Sequence, residues 1–249
     1  MNRHFRCTAC GKCCYGQLPL TWSDAEANAD KFPIGLVWTP VSQSSKDFKF
    51  TSHIGVTIPL DNRLALAVLI VPTSFIPASQ ACPALLDNNL CGIHDQKPLR
   101  CRTMPFYPYR DERFQHEVMR FKNEWSCETD PSAPLVYADG RVVDRKDFEA
   151  ERQKILEEVP LMRRYAAYMF KYSPHIVRQL TVASAHPQAK HIVTSLSSFM
   201  TAIRYPHMKS IAEKQIPVLD RAITSCHNRP ELGEFLRHYE VWRKEMSYI

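Results

Sequence analysis

The sequence predicts an α+β protein: an irregular, cysteine-rich part with a few short antiparallel strands, followed by a helical C-terminal part. Three observations carry this. Eight of the nine cysteines fall before residue 128, three of them in a stretch of little periodicity between residues 78 and 113. Between Lys46 and Pro77 short apolar and β-branched segments alternate with turn signals. From about residue 143 apolar residues recur at helical spacing almost to the end.

In order along the chain, Leu18 to Ala29 reads as a strand end followed by a helix. Thr21 or Ser23 serves as its cap, and Asp24 and Glu26 sit in the first turn. Strands are expected at Asp47 to Ser52, Gly55 to Leu60 and Leu64 to Val71, punctuated by Asp61-Asn62 and Pro72. Residues 78–113 read as an irregular loop wrapped around a site, because nothing else would hold so long a coil. A strand is expected at His116 to Lys122, and Asp139-Gly140 is a hairpin signal within Leu135 to Val143. Helices are then expected at Asp144 to Glu158, ending before Pro160, and at Leu161 to Tyr172, ending before Pro174. Others are expected at Ile192 to Arg204, at Met208 to His227 with a kink at Pro217, and at Pro230 to Tyr248.

At 249 residues, 45% hydrophobic and 23% charged, the chain can bury a core of its own without help from a ligand. Seven glycines argue against a glycine-rich nucleotide-binding fold. The start, Met1 to Arg6, lacks the apolar stretch of a secretion signal. The longest apolar run, Leu64 to Val71, is far short of the roughly 20 residues a membrane span needs. A cytoplasmic protein with no membrane partner is expected, and in that reducing compartment cysteines serve as metal ligands or catalytic groups rather than disulfides. The net charge of +6 lies wholly in residues 151–249, which carry 15 Lys+Arg against 9 Asp+Glu. This basic excess is read as a solvated helical surface, and the helical aromatics Tyr165, Tyr168, Phe170 and Tyr172 as core, so nucleic acid is not the expected partner.

The chemistry concentrates in the cysteines. Cys7-Thr-Ala-Cys10-Gly-Lys-Cys13-Cys14 lets a tight loop turn several sulfurs toward one centre while its backbone N–H groups point inward. Cys-x-x-Cys-x-x-Cys is the spacing ferredoxins use for three ligands of a four-iron cluster, whereas zinc sites more often use two separated pairs. In an extended chain the adjacent Cys13 and Cys14 would point to opposite faces, which would suit two centres as well as one. Downstream stand Cys82, Cys91, Cys101 and Cys127, with Asp87-Asn88-Asn89 turning the chain so that Cys82 and Cys91 approach. Arg100 and Arg102 flank Cys101 and are expected to favour its thiolate. His94 is an additional candidate, more simply a surface residue. Cys226, beside Ile223 and Leu219, reads as a core residue, and Tyr107 and Tyr109 as packing around the site.

The joint pattern of Cys7-x-x-Cys10-x-x-Cys13-Cys14, Cys82-Pro83, Cys91-x-Ile93-His94 and Pro98-x-x-Cys101-Arg102-x-x-Pro105 resembles the YkgJ-type bacterial cysteine-cluster family over about residues 5 to 130. That family is described as a zinc- or iron-chelating domain and often labelled an Fe–S-cluster-containing protein. The place of His94 is commonly a tyrosine there, which counts against that histidine as a required ligand.

The expected units are therefore a cysteine-cluster metal-binding domain at 1–142 and a helical domain or extension at 143–249. The expected metal ligands are Cys7, Cys10, Cys13, Cys14, Cys82, Cys91, Cys101 and Cys127. The cofactor is an iron–sulfur cluster, [4Fe–4S] in type and one or two in number, or zinc, in a structural, redox or sensory role that could involve a protein partner. The resemblance also reaches flagellin lysine N-methylases, so a protein-modifying methyltransferase is the alternative. Against it, the sequence has no Gly-x-Gly-x-Gly loop and no Cys-x-x-x-Cys-x-x-Cys triad. No independent catalytic set emerges.

Overall fold

The computed structural model describes residues 2–60, 64–119, 121, 125–185 and 191–249. Strand β1 (Arg3–His4) leads into the cysteine motif and β2 (Leu18–Pro19) leaves it, followed by α1 (Trp22–Ala27), β3 (Ile34–Ser42), α2 (Phe48–Ile54), β4 (Val56–Pro59) and β5 (Ala65–Ser74). Past a long irregular stretch come two single-turn helices, α3 (Leu99–Arg102) and α4 (Gln115–Val118), and the hairpin β6 (Leu135–Ala138) and β7 (Arg141–Val142). The rest is α5 (Lys146–Tyr172), α6 (His175–Ser184), β8 (Ile192–Ser195), α7 (Leu196–Ile203), α8 (Met208–Cys226) and α9 (Gly233–Met246). The fold is α+β with a helical C-terminal part, as the sequence predicts.

β5 organises the larger sheet. One of its edges pairs antiparallel with β3 along its length, from Ile34 opposite Ser74 to Ser42 opposite Leu66. Its other edge takes β2 at one end and β4 at the other, and β8 adds to the far side of β3. Successive side chains of a strand alternate faces. Leu66, Val68 and Ile70 thus enter the main core with α5 through α9, while Leu69 and Val71 enter a smaller cluster with Ile54, Tyr109, Ile155 and Val159. Burial on both faces explains why this strand is an unbroken apolar run rather than an alternating one. A second, three-stranded sheet in the order β1-β6-β7 covers a third cluster of Phe5, Phe106, Met119, Tyr137, Val142 and Phe148.

Several local expectations give way to packing. The strand expected at Asp47 to Ser52 is the helix α2, because Phe48-Lys-Phe-Thr-Ser-His-Ile places Thr51 and Ile54 on one buried face beneath β5. The strand expected from His116 is α4 instead, its Gln115 side chain bonded to Tyr107 on both sides; Lys122 lies outside the described residues, as do Asp61 and Asn62. Helix α5 does not stop at Pro160. The proline ring lies on the exposed side, while Ile155, Val159, Met162, Tyr165 and Met169 form one continuous buried face across it, and that packing outweighs the lost backbone hydrogen bond. The helix expected from Ile192 begins only at Leu196, since Ile192–Ser195 is β8, recruited by β3 before Ser195 caps α7.

One buried side chain ties the two halves of the chain together. Gln215 of α8 is fully buried; its Oε1 accepts from Ile34 N at 3.1 Å and its Nε2 donates to Ala29 O at 2.6 Å and Phe32 O at 2.7 Å. These bonds satisfy the backbone groups of the turn that aims α1 and β3 apart. Replacing Gln215 with Ala leaves three buried backbone groups without partners, at about 1 kcal/mol or more each. The expected outcome is a loss of about 3 kcal/mol in urea unfolding with an unchanged denaturant slope.

Candidate metal centre

The cysteine motif is a loop anchored at both ends. Before it, Phe5 N donates to Pro134 O at 3.0 Å, and Arg6 and Glu128 exchange backbone hydrogen bonds of 2.9 and 3.1 Å, which sets Cys7 beside Cys127. Thr8 Oγ1 adds a bond to Ser126 O at 3.1 Å. After it, Gly16 N donates to Gln80 O at 3.1 Å and Cys82 N to Cys14 O at 2.8 Å, which sets Cys14 beside Cys82. Two residues inside the loop adopt left-handed backbone, Ala9 at φ 54° and Gly11 at φ 70°. The first turns its own N–H toward Cys7 Sγ at 3.4 Å.

Cys13 and Cys14 do not diverge as an extended chain would require. Cys14 N donates to Gly11 O at 3.0 Å, so residues 11 to 14 form a turn and the two sulfurs lie against each other. That contact, with burial and the thiols of Cys14 and Cys10 adding, holds the proton on Cys13 and favours the thiolate on Cys14. The Cys14 sulfur in turn feels the charges of Cys82, Cys101 and Cys91.

The expected turn between Cys82 and Cys91 is present. Asn89 takes the left-handed conformation that asparagine tolerates, at φ 64°, and Leu86 N bonds Leu90 O at 2.9 Å, so Cys91 comes back as the antiparallel partner of Leu85. This turn packs directly on the cysteine loop. A Cβ at Gly11 would stand 3.0 Å from Asn89 O and 3.2 Å from Leu85 Cδ1.

Cys101 sits on α3, which docks on α5 through two ion pairs. Arg100 is buried and reaches Glu151, also buried, at 3.5 Å, with the ring of Tyr107 beneath the guanidinium; Arg102 pairs with Asp147. Asp24 of α1 accepts from Leu99 N at 3.1 Å, fastening α1 to the start of α3. The arginines thus spend their charge on α5 and do not make Cys101 a thiolate, contrary to expectation. Burial pushes the Cys101 thiol up to about 12, with Cys82 and Cys13 adding to the rise and Arg100 offsetting only part of it. Burial likewise raises Cys82 against backbone bonds at Ala84 and Leu85, and lifts Cys127 to about 11 with the nearby thiols of Cys10 and Cys7. Cys10 goes the other way: burial opposes it, but bonds with the Lys12 and Ser126 backbone and the Thr8 and Cys127 side chains bring it below the usual thiol range.

All eight predicted cysteines are therefore gathered on one side of the molecule, and all carry free thiols. They are neighbours rather than a finished shell: among the described residues no three Cys, His, Asp or Glu side chains already form an ion-binding group. His94 projects into solvent against Asp95, and Cys226 is buried in the main core among the helices. Tyr109 donates to Leu20 O at 2.9 Å and packs with Tyr107 beneath β5, a packing role. What sequence reasoning missed is the supporting set Asp24, Glu151 and Glu158. Their only sequence signal is three carboxylates in segments otherwise read as amphipathic helix.

Comparison with family models matches residues 6–128 to the family described as "CxxCxxCC: Putative zinc- or iron-chelating domain". No curated protein and no solved structure matches the chain. The CxxCxxCC description accords with the donor set: clustered sulfurs, several with backbone N–H groups directed at them, are soft ligands suited to zinc or iron.

Two outcomes follow for the site's supports. Glu151→Ala strands the buried Arg100 guanidinium and should cost about 3–5 kcal/mol in chemical denaturation, whereas Arg100→Met with Glu151→Leu should be close to neutral. Gly11→Ala forces a Cβ into left-handed backbone and into the 85–89 turn, and should lower stability by about 1–2 kcal/mol, while Ala9→Gly stays within about 0.5 kcal/mol of the parent. Thermal unfolding of the paired variants checks the contrast.

Proposed function

We propose that this chain is an iron–sulfur protein whose cysteine constellation holds its metal through thiolates in a structural, redox or sensory role. The ligands are Cys7, Cys10, Cys13, Cys14, Cys82, Cys91, Cys101 and Cys127. The observation that supports this reading is the gathering of these eight sulfurs from four separate segments onto one side of the molecule, beside backbone N–H groups that can stabilise sulfur-borne charge. Iron–sulfur is preferred to zinc because three of the thiols follow one another at two-residue intervals within a single loop. A bound cluster supplies a one-electron couple; the chain's part is to bind it, direct amides at its sulfur ligands and keep it against the apolar sheet.

Protein isolated without oxygen should carry iron and inorganic sulfide in equal amounts and a broad visible absorption that bleaches on reduction or in air. Stoichiometric zinc with neither iron nor sulfide would defeat the iron–sulfur reading and leave zinc chelation in its place. No helix among the described residues is long and apolar enough to cross a membrane.

A further inference from the structure

We infer that the eight thiols form two adjacent centres, one of Cys7, Cys10 and Cys127 and the other of Cys14, Cys82, Cys91 and Cys101, with Cys13 at their boundary. This deepens the proposed function and rests on its premise that the thiols bind metal.

The division follows the backbone. Cys7 and Cys127 are brought together by the Arg6–Glu128 pairing, reinforced by Thr8 Oγ1 on Ser126 O, and Cys10 follows in the same loop beside Ser126 and Cys127. These three lie beside the small three-stranded sheet, and Cys127 packs on the cluster of Phe5, Phe106 and Tyr137. Cys14 and Cys82 are brought together by the bond from Cys82 N to Cys14 O, Cys91 by the 86–90 turn that returns it opposite Leu85, and Cys101 by α3 held on α5. These four stand at the end of the large sheet, where Cys82 packs against the main core.

Adjacent cysteines in a turn rather than a strand explain how one short loop can serve two centres: the 11–14 turn carries the chain from the first group into the second. A four-thiol set saturates a tetrahedral ion or one cluster, and a three-thiol set leaves a position that Cys13 or an outside ligand completes.

Anaerobic titration of reduced, metal-free full-length protein with Co2+, read by its thiolate charge-transfer and d–d absorption, tests the division independently of which metal the cell supplies. The parent should take up about two equivalents. Cys127→Ser and Cys10→Ser should each lower uptake to about one, preserving one spectral component, and Cys91→Ser and Cys82→Ser should lower it to about one and preserve the other. Combining Cys127→Ser with Cys91→Ser should abolish tight binding. Two substitutions per group guard against one variant that fails to fold, with far-ultraviolet circular dichroism as the check. If the folded variants from both groups lose all the cobalt, or lose the same spectral component, there is one centre and the division fails while the chelating reading stands. A parent protein that binds no cobalt overturns both.

Discussion

A single stripe on α5 is the constraint on which the rest of the structure depends. Asp147, Glu151, Ile155 and Glu158 lie on one face of that helix by their spacing of four, four and three. Asp147 and Glu151 hold the two arginines of α3, and Glu158 accepts from Trp22 N at 2.5 Å and from Ser23 N at 3.0 Å at the start of α1. The apolar residues of the same helix reach all three clusters, Phe148 entering one, Ile155 and Val159 the second, Met162 to Met169 the third. Among the described residues no other element does this. The helix therefore positions the cysteine-bearing segments both by apolar burial and by charges, of which Glu151 and Glu158 are buried.

The consequence for the site is that its precision comes from outside the segment that carries its donors. The family match ends at residue 128, and the partners of Arg100, Arg102 and the α1 N-terminus all lie beyond it. A loop of eight residues with two left-handed positions would not by itself hold thiols in place. Here it is tied at one end to the β1-β6 sheet and at the other to β5 through β2, so each half of the motif inherits the rigidity of a different core.

How much of this could be read from the sequence depends on the range of the interaction. The cap at Thr21, the hairpin at Asp139-Gly140 and the turn before Cys91 are set by neighbouring residues, and all are present. Strand β3 is not evident in the sequence because Gly35 and Pro40 interrupt its pattern. Both are tolerated for tertiary reasons: the indole of Trp242 occupies the space where Gly35 would carry a Cβ, and Pro40 lies past Trp38, the last residue that β8 pairs. Helix α6 was hidden between two predicted helices, and α5 was cut at Pro160 because its exposed ring and its unbroken buried face are facts of packing. For the candidate site, the candidate cysteines stand out in the sequence, whereas the contacts that bring them near one another do not. The expected divergence of Cys13 and Cys14 assumed extended backbone, and only the hydrogen bond to Gly11 O reverses it.

The electrostatics of Cys101 show why the surroundings matter as much as the ligands. An arginine on each side would lower a thiol in water, but here both side chains turn toward α5, and the sulfur is left with a desolvation penalty and three thiol neighbours. A free thiolate there is disfavoured, so a cation that enters must displace protons as it binds, and each thiolate formed makes the next harder until positive charge sits among them. The Arg100 guanidinium, buried one residue away and with one of its nitrogens lacking any partner among the described residues, is a fixed charge that opposes this build-up. Glu151 keeps it in place at the expense of part of its field. The same ion pair that stabilises the fold thereby bears on how readily the sulfur-rich end of the large sheet carries negative charge.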